Sequence, residues 1–251
     1  MSGTAHSPDI EQTRFTRNGQ QGLSWPERTR VVLQPIAPPS VLGLFGFAAA
    51  TFMVSAYLAG WYGNAATPTY LFPFAATFGG IAQFAAGLWC YRARDALGTA
   101  MHGMWGAFWM GFGLLFLLVA AGDLTVPASG SFPALGYWFL PLAVITGIGA
   151  IAALAESLGL VATLTTLAVG SAFLAVHYLT GGIGWQHTGG WVLIASAICA
   201  TYTAGAMMLE ATFGRVVLPL GKLSKEANKP GGRITEPIEY GAGMPGVRQG
   251  Q

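Results

Sequence analysis

The feature that most constrains this chain is where its basic residues are missing. No Lys or Arg falls between Arg30 and Arg92, and none falls between Arg94 and Arg215. A soluble fold needs charges spread over its surface, and stretches of that length cannot cover one. A chain that crosses a bilayer must leave them out, because a cation at the hydrocarbon centre costs about 2.5–3.5 kcal/mol even on insertion scales. Composition agrees: 53% of the residues are apolar and 9% charged, against about 25% charged in ordinary soluble domains. The net charge of +2 is a sum over tails and loops, so it gives no argument for nucleic-acid binding.

Six apolar stretches, 40–61, 71–91, 98–121, 135–156, 158–179 and 191–213, reach the about 20 helical residues that span a core of about 30 Å. Barrel strands are excluded, since they would run to about ten residues and alternate apolar with polar. Lipid offers backbone groups no partner, so each span should be helical. The breaks carry turn chemistry: Gly63-Asn64 with Pro68, Pro127 to Pro133, and Gly181-Gly182 with Gly184. Little more than Ser157 separates the fourth and fifth spans, which predicts a tight helical hairpin. The expected fold is an all-α integral membrane protein with six transmembrane helices in residues 36–221. A polar tail, 1–35, should precede it, and a Pro-, Gly- and charge-rich tail, 222–251, should follow and end disordered. The first tail lacks an apolar h-region and is expected to stay on the mature protein.

Basic residues set the orientation. Arg14, Arg17, Arg28 and Arg30 precede the spans, Arg92 and Arg94 lie between the second and third, and six more follow from Arg215 onward. With six spans, all 12 face one side, so the N and C termini are both expected in the cytoplasm. A miscount by one span would send the C-terminal cluster outward. Trp61, Tyr62, Trp89, Tyr91, Tyr137, Trp138, Trp185 and Trp191 fall near span ends, the pattern of an interfacial aromatic belt. Gly43, Gly46, Gly79, Gly80, Gly111, Gly113, Gly147 and Gly149 fit either close helix approach or room for a narrow passage.

No catalytic constellation is present: no HExxH, no GxSxG, no phosphate-binding Gly loop, no Cys/His cluster. The chain therefore reads as no enzyme, with no cofactor and no metal. Cys90 and Cys199 read as small buried hydrophobes. His102 and His177 sit on different spans; either could handle protons, but a lone His on an apolar helix reads first as a packed, hydrogen-bonded residue. Glu156 and Glu210 end the fourth and sixth spans, and Glu210 is near enough to Arg215 in sequence for a structural ion pair. With no cation inside the spans, a crossing anion would meet hydroxyls, amides and helix N-termini, or would cross protonated. A small, weakly held solute suits that better than a polyanion or a nucleotide.

Four segments carry a resemblance. They are Pro38-Pro39-Ser40-Val41-Leu42-Gly43-Leu44-Phe45-Gly46-Phe47 at the start of span one, and Phe78-Gly79-Gly80-Ile81-Ala82-Gln83 with Ala86-Gly87-Leu88-Trp89 in span two. The others are Gly106-Ala107-Phe108-Trp109 in span three and Phe213-Gly214-Arg215-Val216-Val217-Leu218-Pro219-Leu220-Gly221 after span six. In that order and spacing, from about Pro35 to Gly221, the chain resembles the acetate uptake transporter family. The resemblance implies six helices per protomer, a homo-hexamer with one pathway in each protomer, and proton-linked or channel-like passage of acetate and similar small monocarboxylates. It further implies a three-residue constriction of Phe47, Trp105 and Leu167, with Gln83, Ala200, Thr51 and His102 lining the path. Glu210 is then the candidate for proton or ion coupling. The chain departs from the family in three places: Gln34-Pro35 and Pro38-Pro39-Ser40 loosen the first motif, Trp105 replaces a Tyr, and Met207 stands where an acid is usual.

Phe47, Trp105 and Leu167 lie about seven, seven and nine residues into three parallel spans, which at 1.5 Å per residue puts them in one layer roughly 10–14 Å deep. Two other readings fit the same residues. One is a channel for neutral solutes such as urea, ammonia or protonated acids; the other is a membrane subunit or sensor that transports nothing and docks through its tails.

Overall fold

The structure is a computed structural model that describes residues 36–125 and 131–223. The expectations for the two tails fall almost wholly outside the described residues. Among the described residues six helices are long and apolar enough to cross a membrane: α1 (Pro39–Leu58), α2 (Thr67–Ala93), α3 (Ala96–Ala121), α4 (Pro133–Ala155), α5 (Leu158–Thr180) and α6 (Ile183–Phe213). The described residues contain no strand. The chain is a multi-pass, all-helical membrane protein, as its charge gaps require.

The caps explain where the helices begin and end. Asp95 accepts a hydrogen bond from the Gly98 amide (2.6 Å) at the start of α3, and Ser157 accepts one from Leu160 (3.3 Å) at the start of α5. Proline occupies the first turn of α1, α2 and α4, where its missing N–H costs nothing. Gly181 closes α5 with φ 75°, a left-handed cap that a Cβ would disfavour. Only Glu156 and Ser157 separate α4 from α5, the tight hairpin expected.

Two departures have physical causes. The sequence places the start of the sixth span at 191, yet α6 begins at Ile183 and runs through Gly184, Gly189 and Gly190. Gly184 belongs to the turn expected from sequence, yet it is helical, and Gly190 serves packing: a Cβ there would stand 2.5 Å from the Ala59 nitrogen. At Gly190, tertiary contact with the end of α1 outweighs low helix propensity. The second is α2, which contains Pro73 and then switches to i→i+5 bonding over Ala75–Ala82 before Gln83–Ala93 resumes the α-helix. Pro73 has no N–H to give, and the Thr77 hydroxyl donates back to the Pro73 carbonyl at 2.8 Å. There α2 lies on α1 backbone to backbone, since a Cβ on Gly46 would come within 2.5 Å of the Phe78 oxygen.

Helix α1 packs on α2 and α6, α2 on α3, α4 on α5, and α5 on α6. The α3–α4 seam is the sparse one, bridged by long side chains: Met101 against Gly149 and Trp138 against Gly111. Trp138 is thus turned inward, a correction to its place in the expected belt. Trp61 and Trp191 do pair near one end, with ring centroids 5.1 Å apart. At the other end Ser40 donates to Asp95 (3.3 Å), and Leu158 donates to the Gly221 carbonyl (3.2 Å). That end gathers the described basic residues Arg92, Arg94, Arg215 and Lys222.

Candidate transport path

The helices frame two small cavities stacked along the bundle. The first, about 30 Å³, opens toward the basic end and is lined by α1, α2, α3, α5, Asp95 and Glu156. The second, also about 30 Å³, lies toward the opposite end among α1, α3, α5 and single residues of α4 and α6. Two side chains, Trp105 and Leu167, line both. Phe47 lines the first, with its ring 6.5 Å from that of Trp105 and edge-on to it. All three are buried, at 2%, 3% and 2% exposure for Phe47, Trp105 and Leu167. They stand eight, nine and nine residues beyond the first residues of α1, α3 and α5, about 12–14 Å along each helix. The layer expected from sequence is therefore brought together, and it separates the two cavities.

The remaining expected residues divide. Gln83 and His102 line the first cavity and Thr51 the second. Ala200 is wholly buried and lines neither; its small side chain lets α6 press on α5, where Ser196 donates to the Thr163 carbonyl at 2.8 Å. Glu210 lies outside both, in a separate cavity beside Glu156. Its two carboxylate oxygens accept from Lys222 at 3.0 Å each. The pair expected with Arg215 is thus replaced, because the chain after α6 folds back under α5 and carries Lys222 beneath Glu210. Losing Lys222 strands a mostly buried carboxylate, so Lys222→Met should destabilise by about 1–3 kcal/mol. A thermal midpoint lowered in Lys222→Met and restored by adding Glu210→Gln checks this.

Five buried polar atoms find no protein partner and belong to residues that line these cavities. The Gln83 Oε1 and His102 Nδ1 belong to the first; the Thr51 Oγ1, Trp109 Nε1 and Ser171 Oγ belong to the second. Buried polar groups without partners cost about 1–3 kcal/mol each, so atoms beside open space are places for water or a polar solute. His177, by contrast, has the packed role expected, with Nδ1 3.1 Å from the Gly182 carbonyl oxygen. At the first cavity's mouth, burial and the Asp95 carboxylate push the Glu156 carboxyl up to about 7. Among the described residues no group of His, Cys, Asp and Glu could hold a metal ion.

Asp95, Trp109 and Ser171 were not expected from sequence. The signal was helical spacing: Thr51, Trp109 and Ser171 each follow a constriction residue by four, so each shares its face. Asp95 was legible as a helix cap just after Arg94.

The sequence model of the GPR1/FUN34/yaaH family matches residues 21–225. The chain belongs to that family. Among relatives, the succinate-acetate/proton symporter SatP of Escherichia coli (strain K12) is 29% identical over 187 residues, 74% of this chain and 96% of that one. Ammonia transport outward protein 2 of Saccharomyces cerevisiae is 30% identical over 175 residues, 68% of this chain and 61% of its own length. A solved structure of the bacterial acetate channel SatP superposes with a TM-score of 0.68 at 27% identity, over 74% of this chain and 100% of that one. These GPR1/FUN34/yaaH relatives carry the names of a symporter, a transport protein and a channel. The family match begins inside the tail that sequence alone set apart at 1–35.

Proposed function

We propose that this protein carries acetate and similar short monocarboxylates across the cytoplasmic membrane, one path per protomer of a homo-hexamer, with both termini in the cytoplasm. The observation that carries the reading is the pair of cavities that meet at Trp105 and Leu167, with Phe47 closing the layer. An apolar neck between two pockets suits a solute with one small polar end and a methyl or short alkyl tail. The donors at Thr51, Trp109 and Ser171 offer a carboxylate hydrogen bonds without the deep binding that a buried Lys or Arg would impose. The family relatives named for acetate support the same choice. Orientation rests on the basic residues gathered at one end. The apolar outer face of α4 (Val144, Ile148 and Ile151) supports assembly or lipid contact.

Radiolabelled acetate flux into proteoliposomes tests the reading, and a folded preparation with no acetate-dependent flux would sink it. A second reading, a channel for neutral small solutes, is favoured by the apolar neck and by the yeast relative named for ammonia transport. Flux of ammonia or urea with no flux of acetate at pH 8, where the acid is ionised, would select it.

Glu156 gives the path an expected pH response. Its carboxyl, raised to about 7 first by burial and then by Asp95, is ionised above that pH and neutral below it. As pH falls through about 7 the first cavity loses one negative charge, and an entering carboxylate meets less repulsion. Acetate uptake should therefore rise between pH 8 and pH 6, and Glu156→Gln should flatten that rise when initial rates are compared across the range.

A further inference from the structure

Trp105 is the side chain that lines both cavities from α3, and its orientation is held from outside the path. The indole Nε1–H donates to the Thr146 hydroxyl oxygen on α4 at 3.0 Å. Thr146 is wholly buried, with 0% exposure, and lines neither cavity. Around the ring, Phe47 meets one side edge-on at 6.5 Å and Phe108 another at 5.1 Å. Those contacts are apolar and set no unique rotation. The indole N–H is a donor only and has one direction in which to be satisfied.

The seam between α3 and α4 gives this bond unusual reach. Helix α1 meets α2 and α6 backbone to backbone, at Gly46 and Gly190, but α4 meets α3 through side chains, and α4 gives the two cavities a single residue, Phe139. The position of α4 is therefore passed to the neck through the Trp105–Thr146 bond. Swinging the ring out of the neck breaks the bond and leaves a buried donor unpaired, unless α4 moves with it. A Trp with two side-chain torsions needs such a tether if the opening is to have a fixed size.

We infer that Thr146 is a positioning residue that latches Trp105 across the neck and thereby sets the largest solute the path accepts. The inference rests on the proposed transport of short monocarboxylates. Its residue touches no solute, so a test must read selectivity rather than rate alone.

The experiment compares acetate with butyrate uptake in proteoliposomes for the wild type, Thr146→Val and Thr146→Ser. Val keeps the shape and removes the acceptor, while Ser keeps the acceptor. Thr146→Val should lower the acetate-to-butyrate ratio about three- to tenfold, the range one ordinary hydrogen bond supplies, and Thr146→Ser should keep the wild-type ratio. The indole N–H NMR signal of Trp105, assigned by its loss in Trp105→Phe, should shift in Thr146→Val and not in Thr146→Ser. Should Thr146→Val fail to fold, the Trp105→Phe background removes the N–H, so adding Thr146→Val there should leave the ratio where Trp105→Phe put it. A wild-type ratio in Thr146→Val despite a shifted indole signal overturns the latch alone. So does a further change of ratio in the double variant. A wild type that carries neither acid overturns the transport reading and the latch with it.

Discussion

Trp105→Ala should raise acetate flux about tenfold and admit larger monocarboxylates than the wild type takes. The ring is the largest group in the layer that parts the two cavities, and both cavities touch it. Truncating it joins them into one channel across α1, α3 and α5. A tenfold gain corresponds to about 1.4 kcal/mol removed from the passage barrier, a modest demand on so bulky an obstruction. The substitution also costs stability. A buried aromatic cut to Ala loses about 3–5 kcal/mol, and the Thr146 hydroxyl loses its partner. Because cavities flank the ring on both sides, the loss should fall at the lower end of that range. The check is initial-rate flux per folded protein, with acetate, propionate and butyrate measured in parallel and a thermal midpoint for each preparation. Flux and size range that match the wild type would show that the ring only packs.

How far the sequence could be read follows from the kind of constraint each feature obeys. Span number and all-helical class were legible because lipid allows only helices or a closed barrel, apolar runs of about 20 residues exclude barrel strands, and charge is costly at depth. Phe47, Trp105 and Leu167 were picked out by the family resemblance, and helical rise, which converts residue counts into depth, put them in one layer; Trp105 and Leu167 line both cavities and Phe47 meets Trp105 edge-on. What was not legible depends on lateral placement. Nothing in the order of residues says that Thr146 on α4 faces Trp105 on α3, since the two helices barely touch. The partner of Glu210 was misassigned because sequence nearness favoured Arg215, while the return of the chain after Gly214 delivers Lys222. The start of α6 was misread because glycines that break helices in water can serve close packing in a membrane.

Those glycines give the other large expected effect, and it separates the two uses of small residues that the sequence left open. Gly190→Leu should abolish or severely reduce folded protein. A Cβ there would lie 2.5 Å from the Ala59 nitrogen, 2.8 Å from the Leu58 carbonyl carbon and 2.9 Å from the Ala59 Cα. All three atoms are backbone, so no side chain can yield; α1 and α6 would have to part. Overpacking a close contact costs about 1–3 kcal/mol where neighbours can adjust, and here they cannot, so the cost should reach or exceed the top of that range. At about 2–4 °C per kcal/mol for a chain of this size, the thermal midpoint should fall by about 6–12 °C or more. Gly184→Ala is the contrast on the same helix. Nothing lies within 4 Å of its added Cβ, and Ala is the better helix former by about 1 kcal/mol, so its midpoint should hold or rise. Gly190 lines neither cavity, which assigns it to helix approach rather than passage. Detergent-solubilised midpoints for the two variants decide the matter: equal midpoints would mean that α1 and α6 do not meet at Gly190, and the wall of the second cavity, to which α1 gives Leu58 and α6 gives Leu193, would have to be redrawn.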